Sequence, residues 1–194
     1  VSDSTPTVTD DDRHRIEEAI AASALLMYLG AKREAHYALG VSQAPAADDD
    51  QRAEIIDFAA QRAQLVQTGI NTRVAAAVAA LGDRPAEDEV RAAVHAALAE
   101  IATYHAAVLI PYITSWAYHR GLVDAYHETI DPATGRPHAE SQQWIWTQTT
   151  DCVDDCTEAA AASPASVDDL IAIAGGPPPA HPRCACDLAP ADSA

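Results

Sequence analysis

A mainly α fold is predicted: an antiparallel bundle of long helices, followed by a small C-terminal module that contains a short β-hairpin-like pair. Three observations carry this reading. Apolar residues recur three and four positions apart over most of the first 130 residues, Gly- and Pro-containing breaks punctuate that pattern, and all four cysteines fall between residues 152 and 186. The organisation that follows is a helical bundle over residues 1–130 and a Cys/His module over residues 131–194. A length of 194 residues allows such a body with one appended module, but not two full-sized domains.

The first helix opens on Asp10, Asp11 and Asp12, where the helix dipole favours acid, carries Ile16, Ala19, Ile20 and Met27, and ends near Gly40. Residues 40–50, with Pro45 and the run Asp48 to Asp50, read as a linker whose last aspartate caps the next helix. From Gln51 to Leu81 the stripe Ile55, Ala59, Val66, Ile70, Val74, Val78 and Leu81 defines a second helix. Gly82, Asp83 and Pro85 stop it and start a third near Ala86, running antiparallel, with Val90, Val94, Leu98, Ile101, His105 and Val108 as its stripe.

Pro111 lacks a backbone donor and collides with the preceding turn, so a break is expected there, with a new helix reaching about His127. In that helix Ile113, Trp116, Tyr118, Leu122 and Tyr126 form an apolar and aromatic patch too rich for one buried face, which marks it as a docking surface. Asp131-Pro132-Ala133-Thr134-Gly135 is turn chemistry, and residues 143–149 alternate as a strand does, with Trp144 and Trp146 on one face. This strand is expected to pair with a strand around Cys186.

Composition narrows the function. The 29 acidic and 12 basic residues give a net charge of −17 and a pI near 4.5, which opposes direct binding to nucleic acid and to anionic membrane surfaces. No run approaches the ~18 apolar residues of a membrane span, and the first dozen residues are polar and acidic, unlike a signal peptide. The chain is therefore expected in the cytoplasm, where clustered cysteines read as a metal site before they read as disulfides.

Cys152 and Cys156 place two thiols four positions apart, and His181, Cys184 and Cys186 follow. These five candidates suit a tetrahedral Zn2+ that takes four ligands, and a site closed by protein ligands is structural, because a catalytic zinc keeps a position for water. Cys184 and Cys186 are close neighbours, which strains them as joint ligands of one ion. The favoured set is Cys152, Cys156 and His181 with one of that pair.

Other chemical patterns are weaker. His138-Ala139-Glu140 ahead of Cys152 and Cys156 has the pieces of a zinc deaminase, with Glu140 as the proton shuttle, but at the wrong spacing. His127-Glu128 lacks the second histidine of a metalloprotease helix, and His95 and His105 fall where packed histidines are common. A metal-free acidic helical adaptor is the remaining alternative.

The strand Trp144-Ile145-Trp146-Thr147, the step Asp151-Cys152-x3-Cys156, and the ending Pro179-Ala180-His181-Pro182-Arg183-Cys184-Ala185-Cys186-Asp187-Leu188 together resemble the Mu F-like phage head morphogenesis family. Ile113 to Gly121 resembles the helix that precedes this module in the family, so the likeness covers roughly residues 112–190. The resemblance implies a non-enzymatic minor capsid protein of the virion head. It would associate with the phage portal or capsid protein during head assembly and DNA delivery, in the host cytoplasm and in the virion.

Overall fold

A computed structural model describes residues 7–83, 85–148, 152, 154–181, 184 and 186–191. Thr149, at the expected end of the strand, and Asp151, Pro182, Arg183 and Ala185 of the motif lie outside the described residues. The elements are α1 (Asp10–Ala38), α2 (Asp49–Ala79), α3 (Glu87–Tyr104), a π-helical segment (His105–Leu109), α4 (Ile110–Glu128), the single turn α5 (His138–Ser141), β1 (Trp144–Thr147), α6 (Asp154–Ala162), α7 (Val167–Ala174) and β2 (Asp187–Pro190). Long helices packed together, with one small antiparallel sheet, make the fold mainly α.

The chain divides into two compact units, Val1–Ala22 with Asp50–Ile110, and Ser23–Asp49 with Pro111–Ala194. The division runs through α1 and beside Pro111, not at residue 130, because α4 shares a buried core with the cysteine-bearing segments.

In the first unit, Thr9 caps α1: its hydroxyl accepts from Asp12 N–H at 3.2 Å and donates to the Asp12 carboxylate at 2.7 Å. The hydroxyl and the N–H of Thr9, both donating to the Asp12 carboxylate, hold that carboxyl below its ordinary value. Gln67 and Asn71 of α2 reach back to Val8, whose N–H donates to Asn71 Oδ1 at 2.7 Å. α2 begins at Asp49, so Asp50 lies in its first turn and is not its cap. Ile55, Ala59, Val66 and Val74 of the expected stripe are buried, whereas Leu81 is exposed. Of the α3 stripe only Ile101 is fully buried, and Leu98 is 41% exposed. The two helices run antiparallel, with Arg73 bonded to Glu100 at 3.1 Å and stacked over the Tyr104 ring at 5.9 Å.

The break expected at Pro111 does not occur. The helix continues from Glu87 to Glu128, and the preceding turn widens into the π segment, where Ile110 N–H donates to His105 O. The extra residue per turn makes room for the proline ring, so its clash and missing donor are absorbed without ending the helix. By length and composition this continuous helix is apolar enough to cross a membrane, which the residue-by-residue reading did not anticipate. The qualifying 18-residue stretch is 11% buried, and the buried residues of this long helix are concentrated in α4.

In the second unit, the remainder of α1 packs on α4 through a polar ladder. Tyr28 Oη donates to Asp124 Oδ2 at 2.7 Å, and Lys32 Nζ donates to Glu128 Oε1 at 2.6 Å, with His36 Nε2 at 3.5 Å from the other Glu128 oxygen. The rungs climb both helices in the same direction, so the pair runs parallel. Lys32 is 1% exposed and His36 2%. Small residues permit this approach: Ala24, Ala31 and Ala35 on one side, Ala117, Gly121 and Ala125 on the other. A Cβ on Gly121 would strike the Tyr28 carbonyl oxygen and sit 3.1 Å from Lys32 N.

The expected docking patch on α4 is largely interior. Ile113 and Trp116 are buried, and Leu122 and half-buried Tyr126 pack on the C-terminal core, Tyr126 edge-on to Trp144 at 4.8 Å, leaving Tyr118 exposed. The reason is that α4 has two packed sides, so it needs more apolar residues than one stripe supplies. That core joins Val123 to Ala139, Trp144, Trp146, Cys156, Val167, Leu170, Cys186 and Leu188. β1 pairs antiparallel with β2 in the register Trp144↔Pro190 and Trp146↔Leu188, and both indoles face the core as the alternation predicts. On its other edge Trp144 exchanges backbone bonds with Ala165, and Trp146 N–H donates to Ser163 Oγ at 2.8 Å. The turn after α4 is closed by Asp131, whose carboxylate accepts from Ala133 N–H and Thr134 Oγ1, both at 2.9 Å.

Two consequences can be measured. Gly121→Ala should lower stability by about 1–3 kcal/mol through overpacking, whereas Gly30→Ala, whose new Cβ meets nothing within 4 Å, should raise it by roughly 0.5–1 kcal/mol; urea denaturation compares them. Burial, first among the influences, pushes the Asp124 carboxyl above its ordinary 3.8, with Arg120 and Tyr28 opposing. The folded chain then holds this proton more tightly than the unfolded chain does. The contribution of Asp124 is therefore fully present below 3.8 and is lost as pH rises through the raised value. Asp124→Asn should flatten that limb in a stability-versus-pH series, and an unchanged limb would remove Asp124 as its source.

Candidate metal centre

Two short segments carry the four thiols. Cys156 sits in the first turn of α6, with Cys152 two residues ahead of the helix, and Cys184 and Cys186 lead directly into β2. Pairing of β2 with β1, and packing of α6 on the Trp144–Trp146 face, brings both segments to one edge of the C-terminal core. The four Sγ atoms all lie within 4.8 Å of one another. Cys156 Sγ is 3.8 Å from Cys184 Sγ and Cys152 Sγ is 2.8 Å from Cys186 Sγ, and none of the four is in a disulfide. Four sulfurs at about 2.3 Å from a central ion would stand about 3.8 Å apart, so one edge already has that length and the other is shorter. Four thiols grouped in this way could hold a metal ion.

The ligand set differs from the one favoured on sequence grounds. Cys184 and Cys186 both belong to the group, and His181 does not. Both thiols of the close pair belong to the group that could hold a metal, and Cys186 N–H donates to Cys184 Sγ at 3.4 Å. His181 contributes through its backbone: its carbonyl accepts from Cys184 N–H at 3.0 Å and shapes the approach to the second pair.

Burial and the neighbouring thiols of Cys184 and Cys186 push the Cys156 thiol well above its ordinary value. Without a cation Cys156 therefore favours its protonated thiol. A bound dication reverses that preference, since it binds thiolates and displaces their protons.

The other sequence candidates are engaged elsewhere. Glu140 is held by Arg136 at 2.8 Å, and the His138 ring lies edge-on to Tyr126, so neither joins the thiols. His127 meets Asp168 at 3.0 Å and Glu128 meets Lys32. His95 is exposed, not packed, while half-buried His105 is held below its ordinary value by burial and then by Arg73.

One contact near the centre carries no motif in the sequence. His119 of α4 is 5% exposed; its Nδ1 lies 2.9 Å from Ser115 O and its Nε2 lies 2.7 Å from Asp187 Oδ1. Ser115 Oγ lies 3.4 Å from the same Nδ1.

No family model, no curated protein and no solved structure matches the chain.

If the four thiols form one site, changing any of them to serine should sharply reduce bound metal, while His181→Ala should keep the wild-type stoichiometry. Elemental analysis of purified protein distinguishes the two cases. Protons compete for the sulfurs, so apparent affinity should rise with pH below the ordinary thiol value of 9.0.

Proposed function

We propose that the chain is a Mu F-like phage head morphogenesis protein, a minor capsid component that associates with the portal or capsid protein during head assembly and DNA delivery. Its place would be the virion head and, before assembly, the host cytoplasm. The observation that carries this reading is the gathering of Cys152, Cys156, Cys184 and Cys186, because it joins the two separated parts of the motif by which the sequence resembles that family. We assign zinc to the thiols, in a structural role. Four protein sulfurs fill the tetrahedral shell zinc prefers and leave no position for water or substrate.

A deaminase reading has less support, since its proton shuttle, Glu140, is paired with Arg136 at 2.8 Å. Binding and assembly are better supported than catalysis. A net charge of −17 favours a neutral or basic protein face as the docking partner over packaged DNA.

Co-expression with a phage portal protein from the same genome tests the role. The two should co-purify, and chelation that strips the metal should release the portal protein. Tyr118 is the exposed aromatic of α4, so Tyr118→Ala should weaken the association without loss of helicity. Failure to co-purify, together with turnover of a nucleoside, would reverse the assignment in favour of the deaminase.

A further inference from the structure

The ladder between β1 and β2 ends at the pair Thr147↔Asp187, and Cys186 lies just beyond it. Strand pairing alone therefore does not fix the residue that emerges as a ligand. The next anchor is the side chain of Asp187. Its Oδ1 accepts from its neighbour Leu188 N–H at 2.9 Å and from His119 Nε2 at 2.7 Å, across 68 positions of sequence. The Asp187 side chain is otherwise 66% open to solvent, so the contact with α4 restrains a group that would be mobile on its own. His119 is in turn fixed by Ser115 O and by burial to 5% exposure. A rigid helix thus clamps the strand at the end from which Cys186 and, through the N–H···S bond, Cys184 depart.

We infer that His119 is a positioning residue for the metal centre, acting through Asp187 to hold the Cys184 and Cys186 thiols in ligating geometry and so to set metal affinity. The inference rests on the reading of the four thiols as a metal site. Partners outside the ligand set commonly change metal affinity by about 10–100-fold when removed, and a clamp one residue from a ligand should fall at the lower end of that range.

The test uses the full chain loaded with Co(II) or Zn(II), in competition with a chromophoric chelator, with the Co(II) absorption spectrum as a second readout. His119→Ala and Asp187→Ala should each weaken binding roughly tenfold and alter the Co(II) ligand-field bands, and the double variant should be no weaker than either alone. His119→Gln, whose amide N–H can replace Nε2 as a donor, should restore most of the affinity. Tyr28→Phe removes a buried hydrogen bond to Asp124 in the same unit without touching the clamp, so it should lower stability and leave affinity and spectrum unchanged. Wild-type affinity in both His119→Ala and Asp187→Ala, or an equal loss in Tyr28→Phe, would overturn the inference while leaving the metal site standing. A wild-type chain that takes up neither ion would overturn the metal reading, and the inference with it.

Discussion

The second unit depends on the burial of α4 on two sides at once. One side must accept the backbone of α1 closely enough that Gly121 has no room for a Cβ, while the other must fill a core shared with Trp144 and Trp146. Small residues serve the first side and large ones the second. The close approach also brings Lys32 and His36 out of water, and a buried ammonium is tolerable only with a partner in contact. Glu128 supplies that partner, and Asp124 does the same for the Tyr28 hydroxyl. Removing one member of such a pair characteristically costs about 3–5 kcal/mol, because the other is left buried and uncompensated. The polar ladder thus fixes which turn of α4 faces which turn of α1, more narrowly than alanine packing could.

The cysteine cluster inherits its geometry from that helix. Val123 belongs to the same buried cluster as Cys156 and Cys186, and His119, one turn earlier, reaches the start of β2. The C-terminal segments add two short helices, one helical turn and a two-stranded sheet, a small apolar reserve for an ordered module. Burial, and then the neighbouring thiols, oppose ionisation of Cys156 when no cation is present. With a dication the same crowding becomes a cross-link between α6 and β2, so metal binding and folding of the module are coupled.

Much of this was legible in the sequence, and the exceptions share a cause. The stripe of α2, the turn at Asp131 and the shared face of Trp144 and Trp146 are local patterns, and local patterns survive folding. The break expected at Pro111 did not, because a π turn absorbs the ring at the cost of one extra residue, and no residue type announces it. The aromatic patch on α4 looked excessive only on the assumption of a single buried face. Lys32, the single lysine of the chain, carried no sequence signal, since its role depends on a carboxylate 96 positions away. His119 and Asp187 were hidden for the same reason.

The departure from the usual two-residue knuckle spacing has a local explanation. Side chains four apart share a face of an α-helix, and side chains two apart share a face of an extended strand. Cys152 and Cys156 are four apart where the chain enters α6, and Cys184 and Cys186 are two apart where it enters β2. The spacing of each pair therefore matches the period of the element it adjoins. A histidine at residue 181 falls outside both periods, which accounts for its absence from the group although its residue type suits zinc. Ligand type made His181 a candidate. The match of spacing to secondary structure selects the four thiols.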